Sequence, residues 1–204
     1  MEKRKYGRKL VACILVAVML CGCADGMGKK GTENEEGSIE AGGEAQKGEE
    51  QESVEEPPAE PLVFEGQDMD GNAVTSDIFS QSKLTMINVW ATYCNPCLRE
   101  MPDLGGLAGE YDTADFQLIG IVSDVQENGS EDKLEKAVSL VEKTGADYPH
   151  LLLNESLYSA LVVNVSGVPT TFFVDENGVV LGAVAGSYEK SVWKEIIDGL
   201  LEEL

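Results

Sequence analysis

Two cysteines separated by two residues, in Cys94-Asn95-Pro96-Cys97, are the part of the sequence best suited to chemistry. They follow the apolar run Leu84–Trp90, which predicts a strand buried on both faces, and a helix is predicted from the pair to about Tyr111. Unpaired N–H groups and the dipole at a helix start stabilise a thiolate at the first cysteine, which makes it a nucleophile. The second cysteine lies one turn along, where it is placed to attack a mixed disulfide. The pattern therefore predicts thiol–disulfide exchange.

Half of a zinc site is the alternative interpretation of the pair. Structural zinc takes four ligands, whereas the chain has five cysteines and one histidine, and three of the cysteines lie within the first 23 residues. His150 follows Tyr148-Pro149, and we predict that it is a strand-edge residue and not a ligand. We therefore expect no metal site and no cofactor beyond a redox-active Cys94–Cys97 disulfide.

Residues 1–23 are interpreted as an export signal. A basic segment, 1–9, leads into the apolar stretch 10–20, whose eleven residues are too few to span a bilayer but fit a secretory signal. The stretch ends in Leu20-Cys21-Gly22-Cys23, which resembles the bacterial lipobox. This resemblance implies that Cys23 becomes the lipidated N-terminus of a protein anchored on the extracytoplasmic face of the cell membrane. An ordinary signal peptide cleaved nearby, or an uncleaved anchor, remains the alternative.

The remaining chain divides into an acidic tether and one domain. Residues 24–61 carry twelve acidic and three basic residues with few large apolar side chains, which predicts a disordered segment; an acidic docking segment is the alternative. Residues 62–204 carry 24 acidic and seven basic residues, a net charge of −17. The whole chain has a net charge of −22, which argues against nucleic acid as a partner.

Strand and helix patterns alternate through residues 62–204, which predicts an α/β domain with a mixed sheet. Residues 62–64 and 73–75 flank an Asp-Gly-Asn turn signal and predict a short hairpin. Further strands are predicted at 84–90, 116–122, 151–153, 170–174 and 179–184, and helices from Cys94 to about Tyr111, around 134–141, at 155–162 and at 193–204.

The segment from Asn88 to Pro102 resembles the active-site region of the TlpA/ResA-type thiol–disulfide oxidoreductases, whose pattern is W-A-x-W-C-x-P-C-x-x-E-x-P. It departs from that pattern at Tyr93, where the family usually has Trp. Gly167-Val168-Pro169-Thr170 resembles the family's cis-proline loop. The resemblance covers about 62–204 and implies a thioredoxin-like fold, with helices around a mixed central sheet, an N-terminal hairpin and a central insertion.

The same resemblance implies roles for individual residues. Glu100, three residues after Cys97, matches a buried carboxylate that acts as acid–base partner of the dithiol; a solvated glutamate is the alternative. In thioredoxin that role belongs to an Asp on the preceding strand, and the matching residue here is Asn88. A cis Pro169 would expose the Val168 backbone to an extended substrate, whereas a trans edge-strand proline is the alternative. Tyr93 is predicted to line the rim of the site.

The function implied is that of a membrane-tethered enzyme that reduces disulfides in exported proteins. Cys94 would attack, Cys97 would resolve, and a membrane electron donor of the CcdA or DsbD kind would restore the dithiol. Proline before the second cysteine resembles reducing motifs more than the oxidising DsbA type. A peroxiredoxin-like peroxidase is an alternative, but its motif has Thr where this chain has Ala91. A Sco-like copper-delivery lipoprotein is another, but it needs three residues between the cysteines.

Overall fold

The computed structural model describes residues 60–204. The predicted signal peptide, Cys23 and all but the last two residues of the predicted tether lie outside the described residues. Each helix in 60–204 falls short of the length and apolarity that a bilayer span requires. This part of the chain forms, in order, β1 (Glu65–Gln67), β2 (Ala73–Thr75), β3 (Leu84–Trp90), α1 (Asn95–Ala108), β4 (Phe116–Gln126), α2 (Glu131–Thr144), β5 (His150–Leu153), α3 (Glu155–Ala160), β6 (Thr170–Asp175), β7 (Val180–Ala185) and α4 (Lys190–Glu203).

The predicted mixed sheet is confirmed. Its five strands lie in the order β5-β4-β3-β6-β7. β3 runs parallel to β4, and β4 runs parallel to β5, whereas β6 is antiparallel to both β3 and β7. β3 is the central strand and is buried at all seven positions, as its nearly continuous apolar run predicts.

Apolar clusters cover both faces of the sheet, because successive side chains of a strand point to opposite faces. Met86 and Trp90 of β3 belong to a cluster that includes residues of α1, α2 and α4. Ile87 and Val89 belong to a second cluster, with residues of α3 and the segment preceding β1. The carboxyl end of β3 and the amino end of α1 are therefore fixed by packing on both sides.

The first strand of the predicted hairpin was placed wrongly. β1 is Glu65–Gln67, paired antiparallel with Ala73–Thr75, and not residues 62–64. The apolar side chains of Leu62 and Phe64 instead pack into the second cluster, while the Leu62 N–H donates to the Gly178 carbonyl oxygen at 2.8 Å. Their hydrophobicity reflects burial in the core and not pairing in the hairpin.

Helix α1 ends three residues before the predicted Tyr111 and packs closely on the end of α2. A Cβ at Gly105 would collide with the carbonyl oxygen of Gly145, the residue that ends α2. Gly145 adopts a φ of 65°, a conformation that favours glycine. Pro102 lies within α1.

Candidate active site

Cys94 and Cys97 form a disulfide at the amino end of α1. Cys94 is the N-cap residue, and its sulfur accepts a hydrogen bond from the Cys97 backbone N–H at 3.2 Å. Pro96 lies in the first turn, where its missing N–H costs no helical hydrogen bond. Cys97 is fully buried and Cys94 is 5% exposed. The helix start is thus arranged to stabilise negative charge on the sulfur of Cys94.

The loop before β6 lies against this disulfide. The Val168–Pro169 peptide bond is cis. The carbonyl oxygen of Val168 is 3.5 Å from the Cys94 sulfur. The Pro169 carbonyl oxygen accepts a hydrogen bond from the Gly186 N–H at 2.9 Å, which joins this loop to the end of β7. Tyr93, next to the disulfide, is 70% exposed.

Glu100 is buried one turn beyond Cys97 and is only 3% exposed. Burial raises its pKa from 4.5 to about 7, although hydrogen bonds oppose that shift. The side-chain amide of Asn88 donates to Oε1 at 3.2 Å, and the backbone N–H of Tyr188 donates to Oε2 at 3.3 Å. The solvated alternative for Glu100 does not fit this environment, which favours exchange of a proton near neutral pH.

Asn88 connects Glu100 to the strand that follows the proline loop. Its amide nitrogen also donates to the hydroxyl oxygen of Thr171 on β6 at 3.1 Å. Burial raises the pKa of Tyr148 above its ordinary value, and the nearby carboxyl of Glu100 adds a smaller effect in the same direction. The phenol therefore stays protonated. Asn88 thus links the Glu100 carboxyl to β6, and the nearby phenol of Tyr148 adds no charge.

The ring of His150 makes hydrogen bonds within the core of the domain. It begins β5, an edge strand, but its side chain is buried. The Trp90 indole N–H donates to Nδ1 at 3.1 Å, and Nε2 lies 3.0 Å from the Ala146 carbonyl oxygen, which fits a proton on Nε2. Burial lowers the pKa of His150 to about 4, so the ring is neutral at physiological pH. A Cβ at Gly120 would collide with this ring.

Metal-ligand clusters of three or more His, Cys, Asp or Glu side chains do not occur within residues 60–204.

Sequence analysis missed one contact beside the dithiol. Asp124, near the end of β4, accepts hydrogen bonds from Thr92, two residues before Cys94. The available signal was its position at the carboxyl end of a parallel strand, where functional groups of α/β proteins commonly gather.

Comparisons with known proteins agree with this geometry. The family model described as AhpC/TSA matches residues 59–183. The thiol:disulfide interchange protein DsbE of Escherichia coli is 30% identical over 146 residues, which cover 72% of this chain and 73% of that protein. The thiol-disulfide oxidoreductase ResA of Halalkalibacterium halodurans is 26% identical over 118 residues, 58% of this chain and 62% of that one. A solved thiol:disulfide interchange protein from Chlorobium tepidum superposes with a TM-score of 0.61 at 25% identity, over 72% of this chain and 99% of that one.

A disulfide that caps a helix after a buried central strand, opposite a proline loop, defines a thiol–disulfide oxidoreductase of thioredoxin-like fold. The chain belongs to the AhpC/TSA family and, within it, to the TlpA/ResA-type thiol–disulfide oxidoreductases.

Proposed function

We propose that this enzyme reduces disulfides in exported proteins from a lipid anchor on the extracytoplasmic face of the cell membrane. The observation that carries the proposal is the hydrogen bond from the Cys97 N–H to the Cys94 sulfur at the start of α1. The Cys94 thiolate attacks a substrate disulfide, forms a mixed disulfide and releases one substrate thiolate, which takes up a proton. Cys97 then attacks the Cys94 sulfur and releases the second. Two electrons pass to the substrate, and Cys94–Cys97 becomes a disulfide.

Glu100 is the proposed acid–base partner of Cys97. A buried thiol is a poor nucleophile until it loses its proton, and the burial of Cys97 keeps water from receiving that proton. A carboxyl with a pKa near 7 is suited to accept it in the ionised form and to return it on re-reduction. Support comes from the position of Glu100 on the buried face of the same helix, one turn from Cys97.

Substrate is proposed to bind across Val168 and Pro169, with Tyr93 at its side. The Val168 carbonyl oxygen is 3.5 Å from the attacking sulfur of Cys94, so an extended segment paired with this backbone would bring its own disulfide to Cys94. The exposed ring of Tyr93 offers apolar contact at low entropic cost.

The reducing direction rests on the proline before Cys97 and on resemblance to the family. The oxidised enzyme would then require a membrane electron donor of the CcdA or DsbD kind. Residues 1–23 would supply the export signal, Cys23 the lipid anchor and residues 24–61 the tether. Replacing Cys23 with Ser should abolish lipid labelling and release the protein from washed membranes, whereas retention by the variant would contradict the anchor.

Mixed-disulfide trapping tests the reaction itself. Cys97→Ser should accumulate covalent complexes with exported proteins, which dithiothreitol releases, because the resolving thiol is gone. Cys94→Ser is the matched control and should trap nothing. Equal trapping by the two variants, or by neither, would contradict the proposed order of attack.

The reduction potential of the Cys94–Cys97 pair tests the direction of the reaction. A value of about −250 mV or below would support a reductase, and one of about −120 mV would indicate disulfide formation instead.

A thiol peroxidase is the second candidate, because the AhpC/TSA family model matches the chain. In the peroxidase motif a threonine lies three residues before the reactive cysteine, whereas this chain has Ala91 at that position relative to Cys94. Consumption of hydrogen peroxide by Cys97→Ser at a catalytic rate would favour the peroxidase. For the copper alternative, Cu(I) titration of the reduced protein should give no stoichiometric tight site.

A further inference from the structure

The turn that carries the catalytic cysteine is held by a carboxylate from the neighbouring strand. Residues 91–94 form this turn, with the Cys94 N–H donating to the Ala91 carbonyl oxygen at 3.0 Å. Inside it, Thr92 donates twice to Asp124: its backbone N–H to Oδ1 at 2.9 Å, and its hydroxyl to Oδ2 at 2.6 Å. Thr92 is buried and Asp124 is half-buried, so these bonds are partly shielded from competition with water. One side chain therefore fixes both the backbone and the side chain of the turn.

An irregularity in β4 brings Asp124 to this position. β4 pairs with β5 in regular register to Val122, and pairing resumes only at Gln126. Bulges of this kind re-aim side chains and often occur beside active sites. Ser123, within the same irregularity, donates its hydroxyl to the Trp90 carbonyl oxygen at 2.9 Å. Two consecutive side chains of β4 thus bind the chain on either side of Ala91.

Two lysines of helix α2 add hydrogen bonds to Thr92 and Asp124. Lys136 Nζ donates to the Thr92 hydroxyl oxygen at 3.2 Å, so that hydroxyl both donates to Asp124 and accepts from Lys136. Lys133 Nζ lies 3.5 Å from the backbone carbonyl oxygen of Asp124. Of the seven basic residues of 62–204, one therefore contacts the turn and a second contacts Asp124, in a domain that is otherwise strongly acidic.

The need for these contacts differs between the two redox states. In the oxidised enzyme the Cys94–Cys97 bond itself holds Cys94 at the start of α1. Once that bond is reduced, the covalent restraint is lost, and the position of the Cys94 sulfur depends on the turn that precedes it. We propose that Asp124 is a positioning residue, which holds the Thr92 turn so that the Cys94 sulfur stays at the helix N-terminus and beside Val168 when the disulfide is open. This inference rests on the proposed nucleophilic role of Cys94.

Redox equilibrium with glutathione separates this role from general stabilisation. Asp124→Ala removes both hydrogen bonds, whereas Asp124→Asn retains an acceptor for the Thr92 N–H but loses the charge and the second acceptor, to which the Thr92 hydroxyl donates. We expect Asp124→Ala to lower the equilibrium ratio of reduced to oxidised enzyme about fivefold relative to Asp124→Asn, the change expected from one net hydrogen bond lost mainly from the reduced state. Insulin reduction should follow the same order, with a lower kcat for Asp124→Ala than for Asp124→Asn.

Asp175 provides the matched control. Its carboxylate also accepts two hydrogen bonds, from the backbone N–H groups of Asn177 at 2.9 Å and Val179 at 2.8 Å, but it lies at the end of β6, where the β6–β7 turn begins. Asp175→Ala should destabilise the oxidised and reduced forms equally and leave the glutathione equilibrium unchanged.

Two results would overturn the proposal. Equal ratios of reduced to oxidised enzyme for Asp124→Ala and Asp124→Asn would mean that Asp124 acts through its charge or not at all. An Asp175→Ala shift as large as that of Asp124→Ala would mean that any loss of fold stability moves the equilibrium. Because the assay uses glutathione, it is independent of the physiological substrate. Failure of the trapping experiment with a positive result here would discredit the proposed function and not the positioning role.

Discussion

Glu100 is expected to make the oxidised protein less stable as the pH rises. Its pKa is about 7 in the folded state, compared with an ordinary value of 4.5. The folded state therefore binds this proton more tightly than the unfolded state, so the stabilisation is complete below about pH 4.5 and is lost as the pH rises through 7. A shift of about 2.5 units at 1.36 kcal/mol per unit corresponds to about 3 kcal/mol of unfolding free energy.

Glu100→Gln removes this titration while keeping a side chain of the same shape. We expect the stability of Glu100→Gln relative to wild type to increase by about 3 kcal/mol between pH 4.5 and pH 8, measured by urea unfolding of the oxidised proteins. Taking the difference between variant and wild type cancels the other titrating groups. Glu135→Gln, which replaces an exposed carboxylate on α2, is the control for the loss of one negative charge. A pH-independent difference for Glu100→Gln would refute the assignment of a raised pKa.

Three further predictions concern the surrounding structure. His150 is the only histidine, so its two ring C–H signals are readily assigned by NMR and should not titrate between pH 8 and pH 5; a midpoint near 6.5 would show that the ring is not buried as described. Gly105→Ala should destabilise the protein by about 2 kcal/mol or more in thermal unfolding, because the new Cβ meets the Gly145 carbonyl oxygen, whereas Gly199→Ala in an open position of α4 should stabilise it by up to about 1 kcal/mol. Similar effects of the two substitutions would contradict the close approach of α1 and α2. Asn88→Asp should place a second carboxyl beside Glu100 and move the alkaline loss of stability to higher pH, and an unchanged profile would argue against their contact.

The elements that position the dithiol follow from local sequence patterns. The strand Leu84–Trp90 was predicted at its observed bounds, because a central strand in a sheet covered on both faces is apolar along most of its length. The helix after Cys94 was predicted from its start, since the N-terminal chemistry of Cys94 and Pro96 is encoded within four residues. Its end was predicted three residues late, because the helix stops at Ala108 with Gly109 as the C-cap residue, a glycine that was not interpreted as a stop signal.

Contacts between distant segments were not predictable in the same way. β4 was predicted to end at Val122 because the apolar run ends there, whereas the strand continues through Ser123 and Asp124 to Gln126. Asp124 and Thr92 are 32 positions apart, and Glu100 and Tyr188 are 88 apart, so neither pairing has a local signature. Each depends on the sheet order, which brings the ends of non-consecutive segments together.

The contact between Gly120 and His150 has an evolutionary consequence. The ring occupies the space that a Cβ at position 120 would need, while it also receives the Trp90 hydrogen bond. A first substitution of Gly120 alone would force out the ring, and loss of His150 alone would leave an unfilled space and an unpaired indole N–H. Each residue thus limits the substitutions that the other can accept during evolution. Among relatives, the two positions should covary, with side chains larger than glycine at 120 found only where 150 holds a smaller residue.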